Sequence, residues 1–369
     1  MRILLVPNSL KGSISARQTA RVLHGALSKK HTVKSFPLSD GGDGFIDFFK
    51  ELEPSAKTVN LHAQNAFGRR EATSYLWLAK PKTAVIETAR ICGLGSAKKR
   101  ELDPLGASSF GVGEVILHAL KKGAKKIYVG LGGVACNDGG AGLARSLGAR
   151  FLDRHGKELE QGTQPLLRLN TLDISVLKKN LCGVKIYAVA DVKNPLLGPH
   201  GSARVYGPQK GATPAQVRIL ERALAVYAHA VKKVTGKNIV SAASTAAAGG
   251  ICAGLYGLCG AKILLGADFL RAHLPLDKWA KWTDLIITCE GKLDMQTLYG
   301  KAPLAALQAA VRARKPVLLI CGQYEEKTLK KLPRGLILRL VCLCDFAKNT
   351  QDSIKNAKKY LKQLTHNVF

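Results

Sequence analysis

Five polar segments contain the residue types that could carry out chemistry, and each of them follows a short apolar stretch. The segments are 7–15 (PNSLKGSIS), 39–44 (SDGGDG), 132–142 (GGVACNDGGAG), 191–198 (DVKNPLLG) and 289–303 (CEGKLDMQTLYGKAP). Glycines allow backbone N–H groups to turn towards an anion, and lysines add positive charge for phosphoryl oxygens. Neighbouring carboxylates repel one another unless a divalent cation or a hydroxyl-bearing ligand lies among them. Phosphoryl transfer uses these parts, so the segments predict a site for a polyanionic ligand.

Short apolar runs along the chain indicate the strands that would position these segments. The runs are bounded by glycine, aspartate or proline and lack polar alternation, which is typical of strands buried on both faces of a parallel sheet. They are residues 3–6, 84–87, 126–131, 184–190, 285–288, 317–321 and 336–342. In open sheets of this kind, ligands bind beyond the carboxyl ends of the strands. We therefore expect the five polar segments to contribute to ligand binding.

Helical patterns alternate with the apolar runs. Ser15 and Gln18 form a capping box ahead of apolar residues at helical spacing, and Thr213 followed by Pro214 predicts the start of another helix. Residues 112–120 place their apolar side chains on one helical face. Alternating strands and helices predict an α/β fold.

The charge balance is strongly basic, with 56 lysines and arginines against 26 acidic residues, a net charge of +30. Such a chain could bind nucleic acid. However, the paired lysines lie near predicted helix ends, where they complement the helix dipole, and the aromatic residues do not interleave with them. We predict no nucleic-acid or membrane partner and keep a basic nucleic-acid-binding protein as the rival hypothesis.

Residues 239–261 carry no charge, and Gly250 and Gly254 match the G-x-x-x-G spacing of packed membrane helices. Because this stretch is rich in alanine, serine and glycine rather than leucine, we predict a buried, tightly packed glycine turn. The nine cysteines form no C-x-x-C pair. This pattern predicts reduced thiols and a cytoplasmic protein.

The polar segments resemble motifs of the type I glycerate kinase family, the bacterial glycerate 2-kinases. Residues 7–16 are similar to P-D-S-F-K-x-S-x-S-A, residues 39–44 to A-D-G-G-E-G, and residues 130–142 to G-[IL]-G-G-S-A-T-N-D-G-G-A-G. Residues 190–213 are similar to D-V-x-N-P-L-x-G-x-x-G-A-[SA]-x-x-[FY]-G-x-Q-K-G-A, and residues 288–303 to T-G-E-G-[RK]-x-D-x-Q-[ST]-x-x-G-K-x-P. The motifs occur in the same order over essentially the whole chain, which makes the resemblance specific.

The resemblance implies two α/β domains, one flavodoxin-like with a mainly parallel sheet and inserted into a discontinuous second α/β domain. From it we predict a discontinuous domain of residues 1–68 and 285–369, and an inserted domain of residues 69–284. The implied activity is phosphorylation of D-glycerate by ATP with Mg²⁺, with 2-phosphoglycerate favoured over 3-phosphoglycerate as the product. The implied partners are glycerate and a nucleotide, and a homodimer is left open.

The family motifs also imply a set of site residues. Lys11, Asp191 and Asp294 are the candidate catalytic residues: Asp191 or Asp294 would orient the glycerate hydroxyl, while Lys11 and Lys301 would balance phosphate or carboxylate charge. The glycine loop at 137–140 would cradle phosphate, and the candidate metal ligands are Asp138 and Asp191. The candidate substrate- and nucleotide-binding residues are Ser9, Asp40, Gly132, Gly133, Asn137, Asp138, Gly139, Gly140, Asn194, Lys210, Glu290, Lys292, Gln296, Thr297 and Lys301.

The chain departs from the family motifs at four positions. Asn8 stands where aspartate is usual, which removes a carboxylate near Lys11. Cys289 and Met295 replace common glycines, and Lys292 replaces a frequent arginine and so loses bidentate recognition. These differences affect efficiency and the exact substrate more than the reaction class. A kinase-like protein that binds small anions without turnover is therefore the other alternative.

Overall fold

The computed structural model describes residues 1–10, 12–95, 97–295, 297–333, 335–336 and 338–368. The strands are β1 (Arg2–Leu5), β2 (Thr32–Ser35), β3 (Lys57–Gln64), β4 (Arg70–Leu78), β5 (Thr83–Glu87), β6 (Lys126–Leu131), β7 (Arg150–Leu152), β8 (Thr171–Asp173), β9 (Lys185–Ala190), β10 (Lys262–Leu265), β11 (Leu285–Leu293), β12 (Val317–Tyr324) and β13 (Leu338–Cys342). The α-helices are α1 (Ala16–Leu27), α2 (Phe45–Leu52), α3 (Ala89–Cys92), α4 (Phe110–Lys121), α5 (Ala141–Ser146), α6 (Ser175–Asn180), α7 (Ser202–Tyr206), α8 (Pro214–Thr235), α9 (Ile251–Gly257), α10 (Gly266–His273), α11 (Leu276–Trp282), α12 (Ala302–Ala313), α13 (Glu326–Leu329) and α14 (Thr350–Val368).

The chain divides into two compact units. Unit 1 comprises Met1–Leu52 and Leu265–Phe369, and unit 2 comprises Glu53–Leu264. The β3–β4 hairpin pairs onto β5 and so belongs to unit 2, while α10 and α11 pack on α12 and so belong to unit 1. The domain boundaries predicted from the sequence, at 68/69 and 284/285, lie later in the chain and stay a prediction.

Unit 1 has a five-stranded sheet in the order β13-β12-β11-β1-β2. Every pair of neighbours is parallel, with Ile3 opposite both Leu285 of β11 and Val33 of β2. Numbered within the unit alone, this is the order 2-1-3-4-5 of flavodoxin-like folds. The sequence analysis expected the flavodoxin-like arrangement in the inserted segment. The structure has it in unit 1, because strands from both ends of the chain complete this sheet.

Unit 2 has a six-stranded sheet in the order β10-β9-β6-β5-β4-β3 and a small β7–β8 pair. Strands β5, β6 and β9 are parallel neighbours, whereas β3 and β4 form an antiparallel edge. The predicted α/β fold with mainly parallel sheets is confirmed.

Each unit has its own apolar core. In unit 1, Ile3, Leu5 and Ile287 of the sheet pack with Leu23 of α1 and Leu361 of α14. In unit 2, the buried residues of β5, β6 and β9 pack with one face of α4 and with α8 and α9. The parallel strands are therefore buried, which explains why their sequences are continuously apolar.

Several local predictions from the sequence are confirmed. Ser15 and Thr213 each form the capping box at the start of α1 and α8. The charge-free stretch 239–261 is a buried turn and short helix, in which Gly250 and Gly254 pack against Gly139 and Gly140. Among the described residues, no helix is long and apolar enough to span a bilayer.

Candidate functional site

In unit 1, β1 and β11 lie side by side in the sheet. They are strands 1 and 3 of the 2-1-3-4-5 order, and ligands bind at this switch point in such sheets. The chain beyond β1 continues along β11, because Val6 N donates to Ile287 O at 2.8 Å and Asn8 N donates to Cys289 O at 3.2 Å. Asn8 and Ser9 therefore lie beside the carboxyl end of β11, where Glu290 is also buried. Two of the polar segments predicted from the sequence meet here.

Asp40, which follows β2, joins the same edge of the sheet. Its Oδ2 accepts a hydrogen bond of 3.0 Å from the backbone N–H of Ala302, at the start of α12. A carboxylate is favoured there by the unpaired N–H groups and the helix dipole. Asn8 Nδ2 donates to the same oxygen at 3.5 Å. An aspartate at position 8 would place a second carboxylate against Asp40, so the amide replaces repulsion with a hydrogen bond.

The loop after β11 pairs the candidate catalytic carboxylate with a lysine. Asp294 Oδ1 lies 3.7 Å from Lys301 Nζ, and both side chains are mostly enclosed. Thr297 closes this turn, since its Oγ1 accepts from Asp294 N at 3.3 Å and its own N–H donates to Asp294 O at 3.0 Å. Thr297 therefore has a structural role here, while Asp294 and Lys301 are the charged groups that the turn presents.

Lys292 forms an ion pair with Glu325. Its Nζ lies 3.0 Å from Glu325 Oε1, and its side chain is 51% exposed. The hydrogen bond with Glu325 raises the pKa of Lys292 and, together with Lys327, lowers the pKa of Glu325. Lys11 and Gln296, two further candidates, lie outside the described residues.

In unit 2, the carboxylate of Asp138 is fully buried and its oxygens accept hydrogen bonds from the chain around it. Oδ2 accepts from the backbone N–H and hydroxyl of Ser109, at 2.8 and 2.9 Å, and from Gly142 N at 3.1 Å. Oδ1 accepts from Gly140 N at 3.2 Å. These bonds tie the start of α4 to the glycine loop, so the geometry favours a loop-organising role for Asp138.

Lys210 supports the same loop from a buried position, with only 2% of its surface exposed. Its Nζ donates to Cys136 O at 2.6 Å and to Asn137 Oδ1 at 3.1 Å. Burial lowers the pKa of Lys210. The bonds of Lys210 hold the loop together, and direct contact of Asn137 and Lys210 with a ligand stays a prediction.

The glycines of this loop are needed for close packing. Gly139 and Gly140 have positive φ angles of 66° and 80°, and a Cβ at Gly139 would lie 2.8 Å from the ring of Tyr227. Their N–H groups donate to Gly249 O and to Asp138, respectively. Since these amides already have acceptors inside the protein, the structure gives the loop a packing function. The phosphate cradle stays a prediction.

Gly132 and Gly133 lie at the carboxyl end of β6. Gly132 is held by the hydroxyl of Thr88, which accepts from Gly132 N at 3.3 Å and lies 2.9 Å from Gly130 O. Gly133 O accepts from Leu94 N at 2.6 Å. Gly133 itself is exposed, so it is the part of this loop that a ligand could approach.

Asp191 and Asn194 follow β9. Asp191 is buried at the carboxyl end of the strand. Asn194 Nδ2 donates to His200 O at 2.8 Å, and its Oδ1 accepts from the Tyr206 hydroxyl at 3.2 Å. Asn194 therefore shapes the loop that carries Asp191, and the chemical role of Asp191 stays a prediction.

Whether Asp138 could bind Mg²⁺ depends on the hydrogen bonds that its carboxylate oxygens already accept. Asp138 does not fit, because its oxygens already accept several hydrogen bonds from the protein. Among the described residues, no group of three or more histidine, cysteine, aspartate or glutamate side chains could hold a metal ion. This is consistent with a Mg²⁺ ion bound mainly by phosphates and water with one or two carboxylates. The hydrogen bonds of Asp138 therefore favour Asp191 as the carboxylate ligand, and both metal assignments stay predictions.

Sequence reasoning missed the residues that organise the loop of unit 2 from a distance. Ser109 precedes α4, and Gly249 lies in the charge-free stretch; both bond to the 136–142 loop. A Cβ at Gly249 would lie 1.9 Å from Cys136 O and 2.8 Å from Lys210 Nζ. The consecutive glycines at 249–250 are visible in the sequence, but the sequence does not show that they contact the 136–142 loop.

The fold and the strand-end residues together define a class of protein: α/β enzymes whose ligands bind at the carboxyl edges of parallel strands. Comparison with known proteins identifies the family within this class. The model of the glycerate kinase family matches residues 3–369, and the chain belongs to that family. It is therefore a phosphotransferase, and the resemblance found in the sequence is confirmed.

Individual relatives agree with this assignment. The chain is 35% identical to the glycerate 2-kinase of Escherichia coli K12 over 327 residues, covering 87% of this chain and 85% of the relative. It is 30% identical to the glycerate kinase of Bacillus subtilis 168 over 371 residues, covering 100% and 97%. A crystal structure of a Salmonella typhimurium LT2 protein, assigned as glycerate kinase 2, matches with a TM-score of 0.79 and 33% identity, covering 100% and 98%.

Proposed function

We propose that this protein transfers the γ-phosphoryl group of ATP to a hydroxyl of D-glycerate, giving 2-phosphoglycerate rather than 3-phosphoglycerate. The observation that carries the proposal is the convergence of Ser9, Asp40, Asp294 and Lys301 at one edge of the sheet in unit 1. Family membership supports the reaction class. Location in the cytoplasm and assembly into a homodimer stay predictions.

The chain's own residues would assist the transfer by orientation and charge. The glycerate hydroxyl oxygen attacks the γ-phosphorus, the bond to the β–γ bridging oxygen breaks, and ADP leaves. A carboxylate, Asp191 or Asp294, would orient the hydroxyl and accept its proton. Lys301 would offset the negative charge of glycerate or phosphate.

A bound Mg²⁺ ion would neutralise charge on the β- and γ-phosphates. We propose that the carboxylate of Asp191 would hold this ion, since the carboxylate of Asp138 already accepts hydrogen bonds from Ser109 and Gly142. Under this assignment Asp294 is the group that orients the hydroxyl.

Glycerate-dependent release of ADP, measured in a coupled assay with Mg²⁺ at millimolar substrate, tests the function. Release above the blank is expected, and NMR of the product distinguishes the 2- from the 3-phosphate. No release, combined with binding of glycerate or nucleotide in calorimetry, would identify an anion binder without turnover. A steep salt dependence of binding to random duplex would instead support the nucleic-acid hypothesis.

The residue assignment is tested by Asp191→Asn and Asp294→Asn. Each change keeps the side-chain shape and removes the negative charge, so we expect turnover to fall by about 100-fold or more. Matched controls are Glu158→Gln in unit 2 and Asp277→Asn in unit 1, which remove the charge of two exposed carboxylates. Near-native turnover in both test variants would show that the assignment is wrong.

A further inference from the structure

A second concave site lies in unit 1, away from the strand-end loops. It is a cavity of about 470 Å³ between the second half of α1, the turn that follows it, and α14. That turn leads into the amino end of β2, so the cavity is at the opposite edge of the sheet from Asp40 and Asp294. The lining residues are Arg21, Val22, Gly25, Ala26, Leu27, Lys29, Lys30, His31, Lys362 and Thr365.

The charge of this lining has one sign. Four of its side chains are permanently cationic, and among the described residues no aspartate or glutamate lines the cavity. Within the described part of the chain, Arg21, Lys29, Lys30 and Lys362 take part in no ion pair, whereas Arg312 of the same unit is paired with Asp277. A concave surface with uncompensated positive charge concentrates anions from solution.

Gly25 gives an independent reason to regard the cavity as a site. It lies inside α1 without a positive φ, and a Cβ built on it would meet no atom within 4 Å. Glycine is less favourable than alanine inside a helix. Neither the backbone nor packing requires glycine here, so its effect is to leave open space above the helix where the cavity lies.

A purely structural explanation accounts for only part of the lining. Lys29 and Lys30 follow the C-terminus of α1, where positive charge complements the helix dipole. That argument does not extend to Arg21, a turn and a half earlier in α1, or to Lys362, which belongs to α14. Cations from separate elements converge on one concavity, as multivalent anion binding requires.

We propose that this cavity binds a small anion with two or more phosphate groups. Its volume is within the range of small-molecule sites, and four cations match the charge of a diphosphate better than that of a single carboxylate. The guanidinium group of an arginine forms directional hydrogen bonds with phosphoryl oxygens, and the ammonium group of a lysine acts as a point charge. The site is separate from the residues proposed for glycerate and ATP, so its ligand need not be a substrate.

Calorimetric titration of the full chain with inorganic pyrophosphate, at about 0.15 M ionic strength, tests the proposal. The test variant is Arg21→Glu/Lys362→Glu. The control is Lys278→Glu/Lys281→Glu in α11, which makes the same change in net charge on exposed residues outside the cavity. We expect one pyrophosphate-binding event to weaken at least tenfold in the test variant and to be unchanged in the control. Glycerate phosphorylation should be unchanged in both.

Gly25→Leu provides a test without any change in charge. The larger side chain would fill part of the cavity while remaining compatible with the helix, so the same binding event should weaken. Equal pyrophosphate affinity in wild type, the double variant and Gly25→Leu would overturn the proposal. It would also be overturned if the two double variants lost affinity equally, or if random duplex bound at the cavity more tightly than pyrophosphate.

Discussion

In the glycine loop of unit 2, the buried charged groups of Asp138 and Lys210 bond to the surrounding chain, whereas in the loop after β11 of unit 1 two charged side chains face each other at a longer distance. In unit 2, the oxygens of Asp138 and the ammonium of Lys210 bond to the chain around the glycine loop. In unit 1, Asp294 and Lys301 face each other at 3.7 Å, beyond an ordinary hydrogen bond. Motif residues that look alike in sequence therefore have different tasks.

This difference bears on how the family motifs are interpreted. A carboxylate that accepts several hydrogen bonds from the backbone and hydroxyl groups is a structural element, because binding a ligand would cost it those bonds. An ion pair as long as that between Asp294 and Lys301 can rearrange around a substrate. From this comparison we propose that chemistry belongs chiefly to unit 1 and to Asp191, and scaffolding to the loop around Asp138.

The largest combined effect on turnover and stability is expected from Gly249→Ala in unit 2. Its Cβ would overlap Cys136 O at 1.9 Å and approach Lys210 Nζ to 2.8 Å, at a φ of 62°. We expect the loop to move, turnover to fall by about 100-fold, and the free energy of unfolding to fall by about 2–4 kcal/mol. ADP-release kinetics and thermal denaturation measure the two effects.

Gly236→Ala is the matched control for this substitution. Gly236 has a similar φ of 73° at the end of α8, but a Cβ there would meet no atom within 4 Å. It should lose about 1 kcal/mol of stability from backbone strain alone and keep full turnover. Equal turnover in the two variants would show that the contacts of Gly249 with the loop do not matter for activity.

The second prediction contrasts Asp138→Asn with Asp294→Asn. At position 138 the amide would direct N–H groups at donors, so we expect a loss of about 3 kcal/mol in unfolding free energy. At position 294 the loss should be in turnover, with little change in stability. Chemical denaturation and kinetics on both variants separate these outcomes. A stable, inactive Asp138→Asn would instead support a ligand-binding carboxylate and remove the contrast between the units.

The sequence was informative about buried strands and about residues that follow them. Continuous apolar runs predicted β1, β5, β6, β9, β11 and β12 because these strands are mostly buried, and the run at 336–342 predicted β13, a partly exposed edge strand. The antiparallel strands β3 and β4 were missed, since they are partly exposed and contain polar residues such as Thr58 and Asn60. The candidates of unit 1 could be found because they lie near the ends of strands of one parallel sheet, although the structure places Glu290 and Lys292 within β11 rather than after it.

The roles of these candidates could not be found in the same way. Whether Asp138 is available to a ligand depends on Ser109, 29 residues earlier in the chain. Whether Lys210 is exposed depends on the packing of Gly249 over it. Hydrogen-bond partners at such separations are set by tertiary structure, so motif identity alone overestimates the number of ligand-binding side chains.

The smallest effect is expected from Glu325→Gln, which removes the ion pair with Lys292 in unit 1. The pair is largely exposed, so its contribution is weak and screened by salt. Because the pKa of Glu325 is lowered from 4.5 in the folded protein, the pair stabilises folding above that pH and loses its effect as the pH falls. The melting temperature should therefore drop slightly at pH 7 and low salt, and the difference from wild type should shrink as the pH falls through the lowered pKa of Glu325. Glu326→Gln, an exposed neighbour, is the control. A large, salt-independent drop would mean that the loops of unit 1 depend on this ion pair as those of unit 2 depend on Asp138.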